Sequence, residues 1–488
     1  MPCTTILVGK KATNDNTTMI SRTDDGFFDE KKIIVVPPNK QPKKYKSVLS
    51  HVEIELPDNP MSYTSCPSIN KKDGIWAATG INAANVGMTA TETITTNALV
   101  LAADPLVEYE KAKSRKEKDK IGGIGEEDIV VLVLPYIHTA REGVIRLASL
   151  LEQYGTYESN GIAFNDENEV WWLETIGGHH WIARRVKDDE CVIMPNQFGM
   201  DYFDFSDAFG AQKEYMCSKD LKEFILQNHL DLNKDGESFN PRYCFGSRTD
   251  QDHLYNTPRG WFMGRYLTPL SHRWDGEDAE FKPESDNIPW SLVPDKKVTI
   301  EDVKYMLSSY FQGTPYNPYS AQDTGKRGIY RSIGINRTGV TSICQIRSDV
   351  PDEIKGVEWI SFGSNAFNSM LPVYTNTTKM PKYLSDVTLD CSTENYYWSN
   401  RIIGALADAH YPECIQWIER YQFSVACKAR EIIHDYDKKM AEEKNFKLID
   451  EANEKLANMA KEETTKTLNK VLMEASKKMK NGYNRADN

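Results

Sequence analysis

A thiol lies almost at the amino terminus, with Cys3 standing directly before the run Thr4 to Val8. If Cys3 were residue one, a single residue would carry both a nucleophile and an α-amine of pKa near ~7.7. That amine can act as the general base, so the chemistry requires no catalytic histidine. A cysteine alone is as readily a small buried hydrophobe. Ile20-Ser21-Arg22-Thr23-Asp24-Asp25 adds what it lacks: Arg22 is a fixed cation that favours thiolate, and Asp25 is a carboxylate able to hold the amine. As encoded, the Cys3 nitrogen is tied up in an amide with Pro2. Removal of Met1 and Pro2 is therefore expected, by attack of the thiol on the Pro2 carbonyl and opening of the thioester by water.

Other chemistries lose their best support. The sequence contains no H-E-x-x-H, no G-x-S-x-G and no G-x-x-x-x-G-K-[ST], which removes the usual signatures of zinc peptidases, α/β-hydrolases and P-loop enzymes. Gly122, Gly123 and Gly125 have the wrong spacing for a phosphate loop and acidic neighbours, and read as a turn. Asp231, Asn233, Asp235 and Gly236 imitate half a calcium loop, but Arg242 stands where its bidentate glutamate belongs. In a strand His179 and His180 must point to opposite faces, leaving one, taken as His179, to line a site. Nine cysteines without a C-x-x-C pair fit free thiols. No metal or organic cofactor is implied.

The elements that must position this chemistry read as mixed α and β. Strands are expected at Thr4-Val8, Met19-Arg22, Ile33-Val36, Val52-Leu56, Ile75-Thr79 and Val86-Thr96, followed by a charged loop over 105–125. Thr139 caps a helix over Ala140-Tyr154 that stops at Gly155. Gly161-Phe164, Glu169-Thr175, His180-Val186 and Cys191-Met194 have the spacing of an antiparallel meander. Helices follow at Leu221-Asn228 and Ile300-Phe311, and from about Arg401 onward. After Cys427 the apolar spacing predicts a long amphipathic helix or a helical hairpin. The expected organisation is one main domain over 1–425 with a helical arm over 426–488, the arm packing on the body or on a sister subunit.

Of 488 residues, 40% are hydrophobic and 27% charged, with a net charge of -12. That balance argues against binding nucleic acid or anionic membrane. No basic-then-apolar leader and no membrane-length apolar run is visible, so a cytoplasmic protein is expected.

Cys3-Thr4-Thr5-Ile6-Leu7-Val8 with Ser21-Arg22-Thr23-Asp24-Asp25 resembles the dipeptidases of lactic acid bacteria, relatives of the secernins. The resemblance continues through Gly122 to Glu127, Ala140 to Val144, Glu169 to Glu174, Gly178 to Trp181, Tyr255 to Arg259 and Gln345 to Arg347. More distantly, the cysteine and Arg-x-x-Asp pattern is similar to penicillin V acylases and bile salt hydrolases. The resemblance implies an α+β fold, the N-terminal-nucleophile αββα sandwich, with Cys3 as nucleophile, Arg22 as its electrostatic neighbour and Asp25 as the amine-orienting carboxylate. It also implies Asn196 as an oxyanion donor and a late arginine, Arg259 in preference to Arg265. Where the acylases carry a second asparagine this sequence has Glu92, which cannot donate when ionised.

The expected activity is hydrolysis of dipeptides, with Glu92 and Glu174 as anchors for the substrate ammonium and Arg259 for its carboxylate. His179 is a further binding candidate, and a homo-oligomer is expected. Two alternatives stand beside this reading: a linear amide C–N hydrolase of the acylase type on the same fold, and a noncatalytic scaffold that binds partners through its helical arm.

Overall fold

The computed structural model describes residues 3–26, 30–322 and 324–479. Two antiparallel sheets carry the molecule. In spatial order the seven-stranded sheet runs Ser291–Leu292, Cys191–Met194, Thr4–Val8 (β1), Thr18–Asp24 (β2), Val340–Ile346, Gly356–Phe362 and Leu371–Tyr374. The six-stranded sheet runs Tyr215–Cys217, Trp181–Val186, Val170–Thr175, Asn160–Asn165, Gly87–Thr93 and Thr79–Ile81. Asn165 joins them, its Nδ2 donating to Thr18 Oγ1 (3.0 Å) and to the Cys344 carbonyl (3.1 Å). Fold class is thus mixed α+β, as the alternation of strand and helix patterns indicates.

Strand alternation explains which side chains meet. Ile6 and Val8 share a core with Val303 and Met306 of the helix Ile300–Leu307, whereas Leu7 and Ile20 belong to a different core that includes Trp172 and Ile182 of the six-stranded sheet. Cys3 and Thr5 have the parity of Leu7, and Arg22 and Asp24 that of Ile20, so all four are directed toward the second sheet. The helix Ala140–Tyr154 covers the other face of that sheet, placing Val144, Leu147 and Leu151 against Phe164, Trp171 and Leu173. It forms where the sequence places it, with Thr139 Oγ1 accepting the Glu142 N–H and Gly155 at φ +68° ending it.

Four expectations change. Cys191–Met194 leaves the meander and pairs with β1 in the other sheet, because its four residues are all buried and serve as a central strand. The stretch from Ile75 is not extended: Trp76 sits at φ +51°, its carbonyl held by Lys31 Nζ at 3.0 Å, and the strand begins only at Thr79. The helix from Ile300 stops at Leu307, four residues before Phe311 at φ +61°. The C-terminal helices begin earlier than Arg401, at Tyr396.

The last described elements are the helices Tyr396–Ala409, Tyr411–Glu443 and Leu448–Lys477, the last two forming a hairpin. Position 425 falls inside the middle helix. Asn453 accepts the N–H of Tyr374 at Oδ1 (2.9 Å) and donates from Nδ2 to the same residue's carbonyl (3.0 Å). Among the described residues no helix is long and apolar enough to cross a membrane.

Candidate active site

The register brings the pieces to one point. Thr4 pairs with Thr23 of β2 and Thr5 with Met194 on the other side. Carrying each register back to Cys3 sets it opposite Asp24 on one flank and Asn196 on the other. Asn196, just past its strand, adopts φ +64°, a left-handed turn that asparagine tolerates better than most residues.

Cys3 is fully buried, and Arg22 Nη2 donates to its Sγ at 2.9 Å and to Glu126 Oε1 at 2.7 Å. Asp24 lies 3.7 Å from the same nitrogen and is itself paired with Lys31 at 2.9 Å. Burial pushes the Cys3 thiol up to about 12. Arg22 opposes that rise, and Glu126 and Asp24 add to it. Burial alone would raise the Asp24 carboxyl, but Lys31 and then Arg22 hold it below its ordinary value. Sγ and one oxygen each of Asp24 and Glu126 lie within 4.8 Å of one another, the spacing of a cation site. The cation there is the Arg22 guanidinium.

Arg259, fully buried, ties the head of β1 to Asn196. Its Nη1 donates to the Cys3 carbonyl (2.5 Å) and Thr4 Oγ1 (2.7 Å), and its Nη2 to Asn196 Oδ1 (2.8 Å), Asn256 Oδ1 (2.8 Å) and the Pro195 carbonyl (2.9 Å). Nε donates to Tyr255 O at 2.7 Å. With its donors taken, Arg259 has none left for a substrate carboxylate, which corrects that part of its expected role. Burial, followed by the nearby Arg331, lowers its pKa to about 9. Arg265 instead meets Asp275 at the surface, 2.7 Å away.

Glu92 accepts the Asn196 N–H at 2.5 Å, and burial raises its carboxyl to about 7. Hydrogen bonds therefore link Cys3, Arg22, Arg259, Asn196 and Glu92 into one cluster. Asp25 lies one hydroxyl away: it accepts from Arg331 and from Thr338 (2.6 Å), and from Thr23 (3.2 Å), whose Oγ1 takes the Thr4 N–H at 3.0 Å. Two candidates lie outside the cluster. Glu174 accepts the Gly199 N–H (2.7 Å) and Trp172 Nε1 (3.0 Å), holding the loop after Asn196. His179 belongs to a clamp in which Asp104 accepts the backbone N–H of both His179 (2.8 Å) and His180 (3.0 Å). The segment Met1-Pro2, on which maturation turns, lies outside the described residues.

Sequence reasoning gave no role to Glu126, Lys31 or Arg331. Glu126 had a signal, since three acids, Glu126-Glu127-Asp128, precede an apolar helix, Ile129–Val133, and all three are buried. Glu127 accepts the Val48 and Leu49 N–H groups (2.7 and 3.0 Å), and Asp128 the Gly125 N–H (2.9 Å).

A thiol at the head of a strand, its sulfur against a guanidinium and its backbone clamped to an asparagine, defines the site of a thiol hydrolase. The sequence model of Peptidase family C69 matches residues 2–424, and the chain belongs to that family. Curated relatives match over all or nearly all of their length. A "Dipeptidase" of Bifidobacterium longum is 47% identical, covering 100% of both chains. A "Probable dipeptidase A" of Streptococcus pyogenes serotype M3 is 48% identical, again over 100% of both. A "Dipeptidase A" of Lactobacillus helveticus is 41% identical over 97% of this chain and 96% of its own.

Proposed function

We propose that this chain is a cysteine-type dipeptidase of the N-terminal-nucleophile class, active once Met1 and Pro2 are removed, with its two sheets and flanking helices forming the αββα sandwich of that class. The observation that carries the reading is the 2.9 Å contact from Arg22 Nη2 to Cys3 Sγ at the start of β1. Full-length relatives named dipeptidase support the substrate class.

In this mechanism the freed α-amine of Cys3 takes the thiol proton as sulfur attacks the peptide carbonyl. It then delivers that proton to the leaving amine, and water hydrolyses the thioester. Arg22 stabilises the thiolate. Asn196 spends one amide hydrogen on Thr93 O, at 2.8 Å, and offers the other to the oxyanion. Arg259 is a positioning residue that fixes Asn196 against Cys3, and Asp25 orients the strand head through Thr23. Residues 1–425 form the catalytic unit and 426–488 its arm.

The test is a panel of dipeptides, a tripeptide and an N-acetyl dipeptide, with Cys3→Ala as control. Hydrolysis confined to dipeptides and lost in Cys3→Ala is expected; cleavage of the N-acetyl compound alone would make the enzyme an acylase-type amidase. Intact mass of the active enzyme should begin at Cys3. A homogeneous, fully active species that still carries Pro2 would rule out the amine mechanism.

A further inference from the structure

A dipeptide differs from an internal peptide segment by the free ammonium beside its scissile bond. Bond lengths and angle place that nitrogen about 2.5 Å from the carbonyl carbon, and attack brings Sγ to within about 3.5 Å of the same carbon. The group that recognises the ammonium must therefore stand close to the nucleophile itself. Glu92 and Glu174 each bury an oxygen without a partner among the described residues, but Glu174 shares no hydrogen bond with the Cys3 cluster, and Glu92 is linked to Cys3 only through Asn196 and Arg259.

Glu126 meets the requirement. One of its oxygens lies within 4.8 Å of Cys3 Sγ. Oε1 is occupied by Arg22 at 2.7 Å, whereas Oε2 is sealed from solvent without a hydrogen-bond partner among the described residues. A buried carboxylate oxygen left unsatisfied is costly, and it is an acceptor held ready for a donor that the described residues do not supply. The backbone beneath it is fixed, since the Glu126 N–H donates to Glu158 Oε1 at 2.6 Å. Burial followed by Glu126 raises the Glu158 carboxyl, a sign of excess negative character at this point. Asp24, the other carboxylate beside the thiol, also buries an oxygen without a hydrogen bond among the described residues, but its charge is shared by two cations, Lys31 at 2.9 Å and Arg22 at 3.7 Å.

We infer that Glu126 binds the α-ammonium of the substrate through Oε2 and so restricts the enzyme to peptides with a free amino terminus. This rests on Cys3 being the nucleophile.

The decisive measurement is the affinity of an uncleaved dipeptide and of its N-acetyl form, by calorimetry, for a full-length Cys3→Ala chain lacking Pro2, with and without Glu126→Gln. Loss of a charge-assisted hydrogen bond should weaken dipeptide binding by roughly 10- to 150-fold and leave the N-acetyl form unchanged. Equal weakening of both ligands, or of neither, would overturn the assignment. If Glu126→Gln does not fold, Glu126→Asp keeps a charge for Arg22 while withdrawing the carboxylate by one methylene, and the same ratio is read. Hydrolysis of the dipeptide by the Cys3→Ala chain would refute the nucleophile; the ratio of Michaelis constants for the two compounds would then still decide Glu126.

Discussion

Replacing Arg22 separates two things it does at once. The sequence suggests that Arg22→Ala would cost activity without unfolding the protein, since its role is electrostatic. Its surroundings say otherwise: the side chain is 1% exposed and paired with Glu126 at 2.7 Å and Asp24 at 3.7 Å. Lys31 would still serve Asp24, but Glu126 would lose the one cation that pairs with it among the described residues. Breaking a buried pair from one side costs about 3–5 kcal/mol, a large share of the ~5–15 kcal/mol that holds a domain together. Arg22→Ala should therefore lower the urea midpoint markedly. Arg22→Lys restores the charge, yet Nη2, the one nitrogen that contacts both Sγ and Glu126, belongs to a rigid planar group whose Nε also donates to the Thr23 carbonyl (3.3 Å). An ammonium on a flexible stem keeps neither that bond nor the fixed geometry. The lost charge-assisted hydrogen bond is worth about 1.5–3 kcal/mol, or roughly 10- to 150-fold in kcat/KM. Because Arg22 favours thiolate, the pH profile of Cys3 alkylation should move to higher pH in both variants. The reasoning fails if Arg22→Ala is as stable as the parent, or if Arg22→Lys keeps its kcat/KM and its alkylation profile.

Glu92 titrates near 7 in the folded protein against roughly 4.3 unfolded, so its contribution is fully present below pH 4 and lost as pH rises through 7. Glu92→Gln should flatten the fall in urea midpoint between pH 5 and pH 8, and an unchanged slope would refute the shift. Gly143→Ala should lower the melting temperature, because the new Cβ would meet Phe164 Cδ1 at 2.4 Å; overpacking costs about 1–3 kcal/mol against the up to ~1 kcal/mol that alanine gains in a helix. A higher melting temperature would show that the helix moves aside freely. Thiol alkylation should inactivate the mature enzyme while EDTA leaves it active, and loss in EDTA that zinc restores would contradict a thiol mechanism.

Local signals carried much of this far. The helix at Ala140–Tyr154 was legible because its cap, its apolar stripe and its terminal glycine agree, and β1 and β2 because short apolar runs flank turn residues. Pairing was not legible. Nothing in Cys191–Met194 says that it leaves its neighbours to flank β1, since alternation fixes a strand's faces and not its partners. The same limit applies to the site: Cys3 and Arg22 lie on adjacent strands and could be paired on paper, whereas Glu126 reaches Arg22 across 104 residues of chain. Arg259 was found by position, but its saturation by six acceptors is a property of packing that no spacing encodes.

The two hydrogen bonds between Asn453 and Tyr374 close an edge of the large sheet. Leu371–Tyr374 is the outermost strand of the large sheet, and its free backbone groups are a template onto which another chain could add. A side-chain amide copies what a further strand would offer, one acceptor and one donor to the same residue, and then terminates the series because no backbone continues behind it. Shortening the protein at residue 425 would remove Ile449, Ala452 and Leu456 and so expose that template together with the part of the main core they now cover. Such a chain should self-associate through strand addition even if its nucleophile were correctly formed.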